Sequence, residues 1–350
     1  MITIGARNVN HALWAGAQLL RHEGVEQDSR NGPVLRAAYP VTTVYEAPSE
    51  RVLLHPGRDA NPFFHLFESL WMLAGRNDLA PLLPFVPRMA NYSDDGGKTQ
   101  PGAYGHRWRQ HFGRDQLAWA IKRLKADKLD RRVTIQMYDA NTDQDAADNG
   151  GRDIPCNLMV LPAVNPEGAL DITVFCRSND MVWGAYGANA VHFSVLQEYL
   201  AAAIGVPVGQ YFQISNNFHG YLATMGKAGE EWPWGVDETQ EQFAPDPYQA
   251  GTVKPTPMFH DGFNTQEFDQ DLAMFMEDPA RIGIRNSFLR RVACPMVMAH
   301  RAFKANGSAA AREVLDQMPK DSDWRAGALL WLANRDAAAA KAKEAAGETV

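Results

Sequence analysis

At Arg132 the spacing of apolar residues changes from helical to alternating, and this change limits the folds open to the chain more than any other feature. Before it, residues 11–22 and 116–129 carry apolar side chains at helical spacing. Residues 63–74 (FFHLFESLWMLA) are apolar around most of a helix circumference, which predicts a helix buried on all sides. After it, residues 133–138, 158–164 and 170–175 alternate with period two and predict strands. Residues 189–204 return to helical spacing, and 209–215 read as another strand. Helices and strands mix without a regular βαβ repeat, so the expected class is α+β.

The connecting segments complete the outline. Asn31, Gly32 and Pro33 mark a turn, and residues 92–102 (YSDDGGKTQPG) and 139–153 read as loops. Residues 225–268 are rich in Pro, Gly and acids and read as irregular. From Gln266 onward the pattern is helical, and the Ala/Lys/Glu-rich residues 336–348 predict an exposed or frayed helix. The expected organisation is a catalytic unit over 1–250 and a mostly helical extension over 251–350. No internal repeat is visible.

Composition narrows the function. The 350 residues include 45% hydrophobic and 21% charged side chains, enough for a sizeable core. A net charge of −7 argues against long nucleic acid as a partner, while leaving room for a local arginine cluster around one phosphate. The first residues carry no signal-peptide pattern and no apolar run is long enough for a bilayer, so a cytoplasmic location is expected, a host's cytoplasm if a phage encodes the chain. Cys156, Cys176 and Cys294 fit neither a disulfide framework nor a metal spacing, so no metal is expected.

Several residues could carry chemistry. Cys156 follows a proline at the entry to a strand (DIPCN), where a nucleophilic thiol could be presented; a buried packing cysteine fits the same pattern. Arg177 and Ser178 at a strand end suit an oxyanion, the guanidinium forking onto two oxygens and the hydroxyl adding a third hydrogen bond. Arg131, Arg132 and Arg30 could converge on the same anion or lie scattered on the surface. Asn189 opens a helix, either as its N-cap or as an amide that reads a base edge. His219 and Tyr221, two apart after a strand, share one side of the chain. Glu68, inside an apolar helix, needs a partner or a proton-transfer role, because a buried carboxylate is costly alone.

Taken in order, FESLWMLAG, AYGHRWR, the arginine pair at 131–132, DIPCN, RSND and FHGY resemble the thymidylate synthase family, which includes the phage nucleotide hydroxymethylases. The resemblance runs from about Arg30 to Tyr221. It implies an α+β fold with a large mixed sheet, packed back-to-back in a homodimer. By resemblance Cys156 adds as a thiolate to C6 of a pyrimidine nucleoside monophosphate. C5 then becomes nucleophilic enough to attack the one-carbon unit of 5,10-methylenetetrahydrofolate. Arg30, Arg177 and Ser178 are expected on the phosphate, with Arg131 and Arg132 donated by the partner subunit. Asn189 is expected on the base, His219 and Tyr221 on the ribose, and Glu68 with Tyr104 around protons and ordered water. Asp180 is expected to orient the pyrimidine or the folate, and Met89 and Tyr92 to face the folate.

Departures from the family pattern bear on the product. Met89 and Tyr92 stand where the methyl-forming enzymes have tryptophans, Asn157 replaces a histidine after the cysteine, Cys176 a glutamine and Asn217 an aspartate. One extra residue separates Gly184 from Asn189, and no short hydrophobic closing tail is visible. Hydride from folate would finish the reaction as a methyl group, water as a hydroxymethyl group. Weaker exclusion of water favours the second. The expected activity is deoxyuridylate hydroxymethylation, uracil being preferred because an amide can serve O4 and N3–H. The alternatives are thymidylate synthase, a cytidylate hydroxymethylase, and a catalytically silent nucleotide-binding module.

Overall fold

The computed structural model describes residues 1–225, 246–260 and 262–346. Its strands are β1 (Ile2–Ala6), β2 (Val25–Gln27), β3 (Val34–Arg36), β4 (Val41–Tyr45), β5 (Ile135–Gln136), β6 (Asn157–Val164), β7 (Leu170–Cys176), β8 (Asn179–Asp180), β9 (Val208–Ser215) and β10 (Phe218–Tyr221). Its α-helices are α1 (Val9–Glu23), α2 (Pro62–Leu73), α3 (Tyr104–His106), α4 (Gln116–Ala126), α5 (Ala140–Asp148), α6 (Ala190–Ile204), α7 (Leu222–Met225), α8 (Thr265–Glu277), α9 (Cys294–Leu315) and α10 (Asp323–Ala345). The class is α+β, as expected.

A six-stranded mixed sheet runs β1-β4-β9-β7-β6-β5, and a four-stranded sheet runs β2-β3-β10-β8. Their registers build the site. In the large sheet Cys176 pairs with Asn157 on one side and Ser215 on the other, so β6 and β7 begin and end beside Cys156 and Arg177. In the small sheet His219 pairs with Arg36 and with Asp180. Directly opposed residues share a face, so these three side chains stand in a row.

Helix α2 is buried around its circumference because helices cover it from several directions. It packs on α6 and α3 and receives α9 and α10 from the C-terminal hundred residues. Trp331 of α10 meets Phe63 edge-on at 5.4 Å, and Phe275 of α8 lies 5.9 Å from Phe67. The C-terminal helices therefore share one hydrophobic core with the sheet. Gly105 lets α3 approach α2 closely, since a β-carbon there would lie 2.0 Å from the Met72 carbonyl oxygen.

Two segments differ from expectation. Residues 133–138 give only the two-residue strand β5, whose outer edge is closed by a side chain. Gln116 accepts from the Gln136 N–H at 2.8 Å and donates to its carbonyl at 2.9 Å, in place of another strand. The loop expected over 139–153 contains α5, capped by Asp139 and fastened by the buried Arg107–Asp143 ion pair at 2.7 Å. It has little apolar periodicity to betray it. The segment 92–102 is a largely exposed loop, as expected, with Ser93, Gln100 and Gly102 tucked in. Asp95 accepts from Ser93, Lys98 and Thr99, which folds the loop over buried Ser93 and Gln100. Of the irregular stretch expected at 225–268, residues 226–245 and 261 lie outside the described residues. The acid-bearing end of α10 is exposed, as expected.

Candidate active site

Pro155 and the β6–β7 pairing fix the backbone around Cys156, whose carbonyl accepts from the Arg177 N–H at 2.8 Å. The thiol is half-buried and opens into a cavity of about 410 Å³. Burial pushes it above its ordinary titration range, Arg177 and Arg30 pull it down, and Asp153 pushes it up. Cys176, alongside it, is buried, and burial pushes its thiol far higher. The reactive candidate is therefore Cys156.

One end of the cavity is cationic. The Arg177 guanidinium donates to the carbonyls of Pro155 at 2.9 Å and Ile154 at 3.0 Å, which holds it over the chain leading to Cys156. Ser178 and Arg30 line the same space. Arg30 sits in the tight turn where Gly32 adopts a φ of +113°. Arg152 lines this cavity too, and a second hollow of about 650 Å³ adjoins it and adds Arg36 to the cationic rim. Neither residue was singled out in the sequence.

The cavity lining also includes neutral amides. Asn189 lies on the last turn before α6, its Oδ1 accepting from Asn157 Nδ2 at 3.1 Å and its Nδ2 donating to Asn179 Oδ1 at 3.0 Å. All three are buried. A β-carbon at Gly184 would lie 2.6 Å from Asn179 Oδ1, so the glycine makes room for this chain of amides. Its side chain makes no N-cap bond; Asn189 is an amide facing the cavity. Asn157, which departs from the family pattern, orients it.

Asp180 caps the next turn, its Oδ1 accepting from the Trp183 N–H at 2.5 Å, while its Oδ2 is buried without a partner. Burial pushes its carboxyl upward; the Trp183 N–H, His219 and Arg58 pull it down. Burial lowers His219, with Asp180 opposing. Its Nδ1 lies 3.1 Å from Asn217 Oδ1. The tautomer that donates there leaves Nε2 as an acceptor. The Tyr221 ring stands edge-on to His219 at 5.4 Å. Tyr104 accepts from the Asn157 N–H at 3.3 Å, and burial raises its phenol well above the ordinary range.

Glu68 finds the partner its burial demanded. His192 of α6 brings Nε2 to 2.8 Å from Glu68 Oε2, although the approach is too oblique for a well-formed hydrogen bond. His192 went unnoticed in the sequence. Its signal was there: it lies three residues beyond Asn189, on the same helix face, in an otherwise apolar run. Asp153, also unnoticed, accepts from the Gly102 N–H at 2.7 Å, and burial pushes its carboxyl up to about 6. Trp183, Arg58 and Arg88 form a third such group, both guanidinium carbons lying about 4.5 Å from the exposed indole.

Cys156, Glu68, Met89, Tyr92, Tyr104, Arg30, Arg177, Ser178, Asp180, Asn189, His219 and Tyr221 thus share one cavity. Arg131 and Arg132 do not. Both are exposed, and Arg132 is held by Asp130 at 2.8 Å. Among the described residues no acidic, His or Cys cluster is arranged to hold a metal, and no helix is long and apolar enough to cross a membrane.

Residues 18–253 match the family model described as thymidylate synthase. The chain belongs to the thymidylate synthase family. The deoxyuridylate hydroxymethyltransferase of Pseudomonas phage M6 is 47% identical over 342 residues, covering 97% of this chain and 95% of that protein. That of Bacillus phage SP01 is 37% identical over 205 residues, 56% of this chain and 52% of its own length. A putative thymidylate synthase of Methanothermobacter thermautotrophicus is 37% identical over 131 residues, 37% of this chain and 56% of that protein. The likeness to the phage M6 protein extends beyond the family match into the C-terminal helices.

Proposed function

We propose that this chain hydroxymethylates C5 of deoxyuridylate through a Cys156 adduct at C6, with 5,10-methylenetetrahydrofolate as the one-carbon donor. The observation that carries this reading is a single cavity lined by a thiol, by guanidinium groups and by an amide held by two others. End-to-end likeness to a protein named for this activity supports it.

Arg177, Ser178 and Arg30 bind the phosphate, and Arg177 also stabilises the thiolate that attacks C6. Bond formation at C6 moves electron density onto C5 and O4. Asn189 receives N3–H on Oδ1 and donates from Nδ2 to O4. Its amide bonds hold it in the orientation that uracil needs, whereas cytosine presents the reverse pattern of donor and acceptor. His219 Nε2 and the Tyr221 hydroxyl bind the ribose hydroxyl. The unpartnered Asp180 Oδ2, in a cavity that Met89 and Tyr92 also line, fits a polar heterocycle such as the pterin of the folate, which supplies the one-carbon unit and departs as tetrahydrofolate. Arg131 and Arg132, exposed and outside this cavity, complete the phosphate site of the partner subunit in a homodimer. Residues 1–250 form the catalytic unit, and the helices beyond it brace α2.

The test is the product. Purified protein with dUMP and methylenetetrahydrofolate should yield 5-hydroxymethyl-dUMP and tetrahydrofolate by mass spectrometry. A methylated base with dihydrofolate would instead make it a thymidylate synthase, and turnover of dCMP in preference to dUMP would overturn the assignment of the base.

A further inference from the structure

Asp153 stands three residues before Cys156 and lines the same cavity, yet no step above uses it. The residue is half-buried, and its Oδ2 accepts from the Gly102 N–H at 2.7 Å. Gly102 packs closely on the carboxylate, since a β-carbon there would lie 3.1 Å from Asp153 Oδ1. Among the described residues Oδ1 accepts no hydrogen bond and no cation bridges to the group. The nearby arginines are committed elsewhere: Arg107 is paired with Asp143 at 2.7 Å, and Arg152 reaches the Asn91 carbonyl at 3.4 Å. Burial, with Asp94 and Asp143 adding to it, pushes the carboxyl up to about 6 against the pull of the Gly102 N–H and Arg107. The charge also pushes the Cys156 thiol upward, a cost that a neutral side chain here would not impose. A residue that only fastened the loop would need neither the free oxygen nor the raised titration. One oxygen anchored, the other free on a reaction cavity and a charge that changes near neutral pH suit a general base.

Building on the hydroxymethylation reading, we propose that Asp153 is a further catalytic residue, the base that takes the proton from the water adding to the one-carbon unit. Once tetrahydrofolate has left, the base carries an exocyclic methylene at C5 and Cys156 at C6. The water oxygen bonds to the methylene carbon, and the π pair of that double bond moves into the ring as the C4 enolate. The water proton passes to Asp153 Oδ1 and from there to solvent. The enolate then re-forms the C4 carbonyl and the C5–C6 double bond while the C6–S bond breaks, returning the Cys156 thiolate. The Gly102 N–H keeps Oδ2 occupied, so one oxygen is left to the water. Choice of water as the finishing reagent is then a built property of the segment that carries Cys156, beyond any leak left by a missing tryptophan.

The test uses the full chain, dUMP labelled with tritium at C5, methylenetetrahydrofolate and a small thiol such as 2-mercaptoethanol, which captures an exocyclic methylene that water fails to reach. In the unmodified protein nearly all label release should end in hydroxymethyl product. In Asp153→Asn, whose amide oxygen can still accept from the Gly102 N–H, single-turnover label release should change less than about 3-fold while hydroxymethyl product falls about 10- to 100-fold and a thioether takes its place. Asp153→Ser carries the test if the asparagine variant does not fold. Without added thiol, the rate at which hydroxymethyl product follows label release should rise with pH through about 6 in the unmodified protein, as the carboxylate forms, and the asparagine variant should lose that rise. Parallel loss of label release and product, an unchanged product ratio, or the same pH rise in the variant overturns the role of Asp153 and leaves the hydroxymethylase reading intact. A methylated base from the unmodified protein overturns both.

Discussion

Arg177 and Glu68 face the same cavity and are held in opposite ways. Arg177 is exposed, and its position comes from backbone: two carbonyls of the DIPC segment accept from its guanidinium. Glu68 is buried, and its surroundings are side chains carried by two helices. An anion is bound by charge and geometry at the rim, so the donors must be rigid while their free N–H groups stay in water until ligand arrives. A neutral base is recognised by donor and acceptor order, which is well defined only where water cannot compete and each amide is itself held. The two walls should therefore fail differently when altered.

The largest expected effect lies between them. Cys156→Ala removes the bond to C6 on which every later step depends, and product formation should fall at least about 10⁴-fold while dUMP binding, followed by calorimetry, persists. Residual turnover within 100-fold of the unmodified protein would mean the thiol is not the nucleophile.

Arg177→Ala should come next, and it breaks the rim wall twice over. Loss of a charged hydrogen-bonding partner should raise KM for dUMP about 10- to 100-fold. The same change removes the main influence that favours thiolate. Burial already holds the Cys156 thiol above its usual range, so less thiolate is present at a given pH than in a free cysteine. Alkylation by iodoacetamide should therefore keep rising with pH beyond the range where ordinary thiols level off. In Arg177→Ala that curve should move further up in pH. An unmoved curve would separate the phosphate role from the thiol role.

How much of this was open to reading in the sequence follows the same division. The rim residues Arg177 and Ser178 and the proposed nucleophile Cys156 lie in short contiguous motifs, because a strand end presents its own neighbours. The helices and central strands followed from periodicity. The Glu68–His192 pair joins residues more than a hundred positions apart, and only the packing of α2 on α6 brings them together. Asn157 gave no sign that it orients Asn189, since that depends on strand register. Helix α5 was missed because an ion pair, Arg107–Asp143, fastens it in place of an apolar stripe.

The buried wall gives a smaller, more selective effect. Asn157→Ala leaves the Asn189 amide held from one side only, by Asn179, and discrimination between dUMP and dCMP should fall about 10-fold with little change in phosphate affinity. Asn189→Asp should move preference toward dCMP, whose amino group can donate to the carboxylate. Equal losses on both nucleotides in both variants would place base recognition elsewhere.

The smallest effect is expected at the C-terminal end, where α10 changes character along its length. Its first half buries Trp324, Ala328, Trp331 and Leu332, and Asn334 donates to the Pro56 carbonyl at 2.9 Å and to Asp59 at 3.0 Å. Arg335 pairs with Asp59 and covers the Trp331 ring at 4.0 Å. Beyond Arg335 the described residues are half-buried at most; Asp336 reaches Arg312 at 2.8 Å, an exposed pair of little value in water. Ending the chain after Arg335 should cost no more than about 0.5 kcal/mol, a shift of roughly 1–2 °C in thermal unfolding, and leave activity unchanged. Trp331→Ala, by contrast, opens a void against Phe63 on the helix that carries Glu68 and should cost about 3 kcal/mol or more. If the truncation proved as damaging as the tryptophan change, the exposed end would be part of the brace on α2, and the boundary between bracing and free helix would lie beyond Arg335.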